Sequence, residues 1–134
     1  KLNKNEQELF LIHKEANNFF QEQLKTTNAL ECRKYLKARL ITDEASKHFE
    51  LGFAPNSRNA LLKFLQRQKF ETKSIISSGL CMISEKTTEP LDRFRNRLMF
   101  PIKDAKGNIV AFGGRSLDPS APAKYLNSGS SRTE

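Results

Sequence analysis

Two cysteines, two histidines and no tryptophan occur among the 134 residues. Cys32 and Cys81 lie far apart and neither has a CxxC partner, which excludes a zinc-finger spacing and a disulfide framework. Both are expected to be reduced, buried thiols. His13 and His48 each lack a second ligand at helical or loop spacing, so neither reads as metal-binding or catalytic, and His13 is expected at a surface or boundary position. No apolar run approaches the ~18 residues of a membrane-crossing helix, and the start shows no signal-peptide pattern. Clustered carboxylates, which phosphoryl transfer uses to hold divalent metal, are also missing. Asp92, Asp104 and Asp118 stand apart, the last two in expected turns where Asp is ordinary turn chemistry. Gly113-Gly114 lacks the Lys-Ser/Thr sequel of a phosphate-cradling P-loop. The chain is therefore expected to bind rather than to catalyse alone, and to hold no metal or cofactor of its own.

Basic residues are plentiful. With 23 Lys and Arg against 15 Asp and Glu the formal charge is +8, which favours a polyanionic partner such as nucleic acid or an anionic membrane surface. From Leu91 onward eight basic residues face four acidic ones, so the cation excess is densest in the last third. A 37% hydrophobic content with ten Phe suffices for one modest core, so the whole of residues 1–134 is expected to form a single domain. The start at Lys1 without methionine and the polar end at Ser-Arg-Thr-Glu suggest an excised fragment.

The first half reads as helices. Leu9, Ile12, Ala16, Phe19, Phe20 and Leu24 recur at helical spacing behind an expected capping box of Asn5 and Glu8. Asn28 with Glu31 repeats that signature ahead of a second helix, whose Arg33, Lys34 and Lys37 would complement its own C-terminal dipole. Thr42-Asp43-Glu44 opens a short third helix ending near Phe49. Gly52 to Pro55 is extended, Asn56-Ser57 would cap a fourth helix through Leu65, and Lys63, Arg67, Lys69 and Lys73 form a solvated face. Thr72 to Ser77 makes a last helical turn with Gly79 after it. Leu80 to Ile83 is a strand that leads through a polar loop to Pro90. The architecture expected is α+β, with N-terminal helices packed on a small, mainly antiparallel sheet formed after Gly79.

The stretch from Arg93 to Asn127 concentrates the chemistry. In an extended backbone Arg93, Arg95 and Arg97 would leave one face of a strand. Met99 to Ile102 and Ile109 to Phe112 flank a polar turn containing Gly107, a β-hairpin signal. Gly113-Gly114 then ends or bulges the second strand and lets another chain or a ligand approach. Lys124-Tyr125-Leu126-Asn127 adds a cation, an aromatic ring and an amide. A solvated positive ladder is the plain alternative. Against it, the arginines have no acidic ladder nearby, and the guanidinium fork suits phosphate oxygens.

The string Asp92-Arg-Phe-Arg-Asn-Arg-Leu-Met-Phe-Pro-Ile102, then Gly107 to Arg115 and Lys124 to Ser128, closely resembles the signature of bacterial DnaG-type DNA primases, the RNA polymerases that lay down replication primers. Upstream, Tyr35 to Arg39 and Gly52 to Pro55 keep the family's order and spacing. The resemblance implies the N-terminal lobe of the polymerase core, with a zinc-binding domain, a metal-binding Toprim lobe and a helicase-binding domain absent from this fragment. It implies a cytoplasmic protein of the nucleoid and replication fork, partnered by single-stranded DNA template, RNA primer, NTPs held on the Toprim lobe, and the replicative helicase, with Mg²⁺ and Zn²⁺ bound outside this chain. By this resemblance Arg39, Arg115 and Lys124 lie nearest the reaction, while Arg93, Arg95 and Arg97 track the backbone or pair structurally. Tyr125 stacks on a base or packs under Lys124, and Asn127 bonds a phosphate or caps its turn. One position departs: the family usually has glycine where Leu40 stands, so either a left-handed Leu ends the helix at a cost on the order of 1 kcal/mol or the helix ends differently, and the place of Arg39 turns on which. A stand-alone nucleic-acid-binding module, or a structural or protein-docking domain, are the other functions the residues allow.

Overall fold

A computed structural model describes residues 2–128; the expected polar end after Ser128 lies outside them. In chain order the elements are α1 (Lys4–Gln23), a 3-10 turn (Thr27–Ala29), α2 (Leu30–Ala38), α3 (Asp43–His48), β1 (Gly52–Ala54), α4 (Ala60–Arg67), α5 (Thr72–Ser77), β2 (Cys81–Ile83), β3 (Pro90–Asp92), β4 (Arg97–Lys103), β5 (Ile109–Ser116) and β6 (Tyr125–Asn127). The α+β expectation holds. Four strands in the order β1-β4-β5-β6 form an antiparallel sheet, and β2 and β3 form a separate hairpin. One edge of the larger sheet, β1, comes from before Gly79 and so joins the helical half to it.

Helix α1 starts two residues earlier than its sequence suggests. Asn3 accepts from the Glu6 N–H at 2.8 Å while Glu6 accepts from the Asn3 N–H at 3.0 Å, so the reciprocal cap falls on this pair rather than on Asn5 and Glu8. Glu8 instead accepts a bond from Ser74 of α5. Ile12, Ala16, Phe19 and Phe20 then pack with Leu61, Leu62, Leu65, Met99 and Phe112 in the larger core. His13 is in that core and not at the surface. It is fully buried, with Nδ1 2.8 Å from Leu9 O and its ring stacked 5.9 Å from Phe112. A carbonyl one turn back gives the imidazole a polar partner without water, which makes burial tolerable.

The end of α1 and the start of α2 also differ from expectation. No side chain caps α2, and Asn28 lies in the 3-10 turn. Arg33 Nη1 donates to Leu24 O at 2.8 Å and Thr26 O at 2.6 Å. Its charge therefore serves the carbonyl end of α1, not that of its own helix. At the other end of α2 the Leu40 N–H bonds to Lys37 O and the Ile41 N–H to Leu36 O, each at 3.0 Å, the paired pattern of a left-handed helix stop. Leu40 does adopt φ 62, with its side chain 89% exposed. Strain relief from a glycine there exceeds the backbone entropy glycine loses, and no buried contact is forfeited. Leu40→Gly is expected to raise stability by roughly 0.5–1 kcal/mol, a Tm increase of a few degrees; an unchanged or lower Tm on thermal denaturation would contradict this reading.

Thr42 caps α3 as expected, accepting from the Ala45 N–H at 3.0 Å. Helix α4 begins at Ala60, later than Asn56-Ser57 would place it, and no neighbouring side chain caps it. Its first N–H groups go to a carboxylate 30 residues away: Asp92 Oδ1 accepts from Leu62 and Oδ2 from Leu61, both at 2.9 Å. Lys63, Arg67, Lys69 and Lys73 are all exposed, as a solvated face requires.

The β4–β5 hairpin forms as its pattern predicts, with Asp104 Oδ1 accepting from Lys106 and Asn108 N–H in the turn and Gly107 at φ 89. Gly113 and Gly114 neither end nor bulge β5; the irregularity lies at Ile102/Lys103. Their missing side chains make room for this chain's own rings. A Cβ on Gly113 would run into the Phe100 ring, and one on Gly114 would lie 2.8 Å from Phe94.

Candidate nucleic-acid interface

The arginine ladder does not form on one strand face. Residues 93–96 are a bent connection between β3 and β4, and Asn96 takes a left-handed backbone at φ 53. The three side chains part accordingly. Arg93 Nε donates to Gly79 O at 2.7 Å, beside the β2–β3 hairpin. Arg95 is exposed. Arg97 is buried, donating from Nη1 to Gly114 O (3.3 Å) and Lys124 O (3.1 Å) and from Nη2 to Ala123 O (2.7 Å). Burial, helped by the charge of Arg95, lowers its pKa, yet a guanidinium stays charged in any case. With three carbonyls as partners, Arg97 ties the segment entering β6 to the sheet.

A different set of side chains converges instead. Residues directly opposite in antiparallel register share a face, so the pairs Leu98↔Arg115, Phe100↔Gly113, Gly113↔Asn127 and Arg115↔Tyr125 place Phe100, Arg115, Tyr125 and Asn127 on one side of the sheet. Helix α2 covers part of that side, where Cys32 and Leu36 pack with Phe53 and Leu98 in a second cluster bordered by Tyr35. Beyond α2 the face is open, with Tyr125 59% exposed.

Arg115 sits at the border. Its Nε donates to Tyr35 Oη at 2.6 Å, and its Cζ lies 5.6 Å from the Tyr125 ring centroid. Tyr35 in turn carries Arg39 over its ring, 4.4 Å from the centroid. Tyr125 meets Phe100 edge to face at 6.2 Å. Arg39, Tyr35, Arg115 and Tyr125 thus alternate cation and ring in a continuous stripe that ends on Phe100. Lys124, exposed, lies just before β6. Of the residues the sequence singles out, Arg39, Arg115, Tyr125 and Asn127 gather here, Lys124 is exposed beside Tyr125 but lies opposite Ser116, one residue out of phase with this face, Arg95 stands exposed before β4, and Arg93 and Arg97 are engaged elsewhere.

Charge on this face is not neutralised internally. Among the described residues the ion pairs are Lys25–Glu22, Lys34–Glu31 and Lys103–Glu50, none of which involves Arg39 or Arg115. Asp118, in the loop after β5, is turned to Ser120, whose N–H and hydroxyl it accepts and which lower its pKa. Two arginines without an acidic partner, beside the exposed Tyr125 ring, suit a phosphate backbone with a base to stack. Tyr35 and Phe100 were missed as members of this stripe: each reads as core in a linear pattern, and only the register and the crossing of α2 bring them to Arg115.

Among the described residues no three His, Cys, Asp or Glu side chains group as metal ligands. Burial pushes the Cys32 thiol up to about 12 and raises that of Cys81 as well, so neither is a ready thiolate. No helix among the described residues is long and apolar enough to cross a membrane.

The chain matches the family described as the DNA primase catalytic core, N-terminal domain, over residues 19–133. It is 43% identical over 129 residues to the DNA primase of Halalkalibacterium halodurans, covering 96% of this chain and 21% of that protein. Among solved structures, the RNA polymerase domain of Mycobacterium tuberculosis primase DnaG is similar at a TM-score of 0.84 and 35% identity, covering 91% of this chain and 40% of that one. A DnaG primase catalytic domain bound to ssDNA is similar at a TM-score of 0.82 and 35% identity, covering 92% of this chain and 38% of that one. The chain spans about a fifth of the length of the curated relatives it matches. Sequence and fold agree on one placement: this chain belongs to the family of the DNA primase catalytic core, N-terminal domain.

Proposed function

We propose that the chain is the N-terminal lobe of a primase that synthesises short RNA primers on single-stranded DNA, and that its open sheet face is one wall of the groove holding template and nascent primer. The observation that carries this reading is the stripe running from Arg39 through Arg115 to the exposed Tyr125 ring, in which neither arginine has an acidic partner among the described residues. In it, Tyr125 stacks on a base, Asn127 bonds a phosphate, and Arg39, Arg115 and Lys124 offset charge nearest the reaction. Arg95 tracks the backbone at the approach. Arg97 acts indirectly, by holding the Lys124 segment in place.

Two-metal phosphoryl transfer needs several carboxylates around one point, and the donor set here does not fit that need. The Mg²⁺ and the NTPs therefore belong, in this reading, to a Toprim lobe outside the chain, with Zn²⁺ and the helicase contact on further domains, in a protein of the cytoplasm acting at the replication fork.

One wall of a groove binds weakly, and phosphate contacts make binding salt-dependent. Labelled single-stranded DNA is expected to bind this chain with an affinity that falls steeply between about 50 and 200 mM salt, read by fluorescence anisotropy. An affinity indifferent to salt would rule out a phosphate-lined face.

A further inference from the structure

We infer that Tyr35 is a positioning residue that holds Arg39 and Arg115 as one two-guanidinium unit on the nucleic-acid face. The inference rests on the reading of that face given above, and adds a residue that touches neither phosphate nor base in it. Tyr35 lies on α2 and Arg115 on β5, 80 residues apart in sequence, and the 2.6 Å bond from Arg115 Nε to Tyr35 Oη joins the two elements. The same ring carries the Arg39 guanidinium at 4.4 Å. One side chain therefore serves two arginines through two different parts, the hydroxyl for Arg115 and the π face for Arg39.

The consequence is directional. An arginine has several rotatable bonds, and fixing it only when a ligand arrives costs side-chain entropy. Bonding at Nε fixes the plane of the Arg115 guanidinium while leaving its two terminal nitrogens free to face a phosphate as a fork. Among the described residues those terminal nitrogens have no hydrogen-bond partner. Arg39 sits at the end of α2, as its C-cap residue, where the chain turns away. Its side chain would be loose there without a ring to lie on. Tyr35 is half-buried between the second core cluster and the open face, so its own ring is fixed by packing. It can pass that rigidity to both arginines.

The test separates the two parts of the side chain. Tyr35→Phe keeps the ring and the packing but removes the acceptor, whereas Tyr35→Leu removes the π face as well. Arg115 Nε–H is read directly by ¹H–¹⁵N NMR, without DNA. In Tyr35→Phe that signal is expected to lose its hydrogen-bonded shift with the backbone spectrum and Tm retained. Affinity for a labelled single-stranded DNA should drop about threefold to tenfold, and Tyr35→Leu should drop it further. Combined with Arg115→Ala, Tyr35→Phe should add almost nothing, because its effect passes through Arg115. If Tyr35→Phe bound DNA as the unsubstituted chain does while Arg115→Ala bound worse, the positioning role would be overturned and the interface reading would stand. If Arg115→Ala also bound normally, the interface reading itself would fall.

Discussion

Asp92→Ala is expected to destabilise the chain by about 2–4 kcal/mol, because it strips two buried N–H groups of their acceptor and a helix of its cap in one change. Leu61 and Leu62 donate to the two carboxylate oxygens from the first turn of α4, and Asp92 is only 3% exposed, so water cannot replace it. Asp92→Asn should fall between, keeping one acceptor and turning an amide N–H₂ toward the other donor. Urea denaturation midpoints measure both. Their pH dependence adds a sign. Burial is the main influence and pushes the Asp92 carboxyl up to about 6, against the N–H donors of Leu61 and Leu62 and the Cys81 thiol, which favour its charged form. Between the ordinary value near 3.8 and about 6 the folded chain holds a proton that the unfolded chain has released. Stability from this group therefore falls as pH rises through that window and levels off above it. The difference in stability between the unsubstituted chain and Asp92→Asn should shrink by about 2 kcal/mol from pH 4.5 to pH 7, since each unit of pKa is worth about 1.4 kcal/mol and about 1.5 units of the shift lie above pH 4.5. A difference that grows with pH would show that the two N–H donors outweigh burial.

In a full-length primase containing this domain, Arg115→Ala and Lys124→Ala are expected to slow primer synthesis at saturating template by about one to two orders of magnitude, with a much smaller loss of template affinity. That split marks an interaction made mainly in the transition state. Its structural basis is that Arg115 is oriented by Tyr35, while the backbone of Lys124 is tied down by Arg97. The Arg115 guanidinium, and the backbone that carries Lys124, are thus in place before substrate arrives. Arg115→Lys should stay impaired, because an ammonium neither bonds Tyr35 from Nε nor presents a fork. Normal rates once template is saturating would reduce both residues to template binding alone.

The hairpin, α3, the last short helix and the solvated face of α4 were all legible in the sequence, because each is specified by local pattern: alternation around Gly107, a Thr cap before Asp43, charges spaced along one side. The helix starts were less so. Asn3/Glu6 and Asn5/Glu8 are equally good capping boxes on paper, and the choice depends on Glu8 reaching Ser74 of α5. The start of α4 carries no local signal, since its cap comes from Asp92 across the chain. The Arg93, Arg95, Arg97 alternation misleads for the opposite reason. A period of two implies one face only if the backbone stays extended, and Asn96 at φ 53 breaks it. His13 escaped notice as a core residue because its partners, Leu9 O and the Phe112 ring, appear only once helix and sheet meet. For the site, the gathered cations were visible by type and the stripe was not. Two of its members, Tyr35 and Arg115, are 80 residues apart.

The most direct test of the central idea, that the open sheet face is the nucleic-acid surface, compares salt slopes for single-stranded DNA binding among single charge removals. Lys63 and Arg67 are exposed on α4, which packs on the opposite side of the sheet with α1, and so serve as controls that change net charge equally. Arg39→Ala and Arg115→Ala should each lower the slope of log affinity against log salt by about one, the signature of a lost phosphate contact. Lys63→Ala and Arg67→Ala should leave it unchanged. Equal slopes for all four variants would mean that binding follows net charge alone, and would contradict a nucleic-acid site on this face.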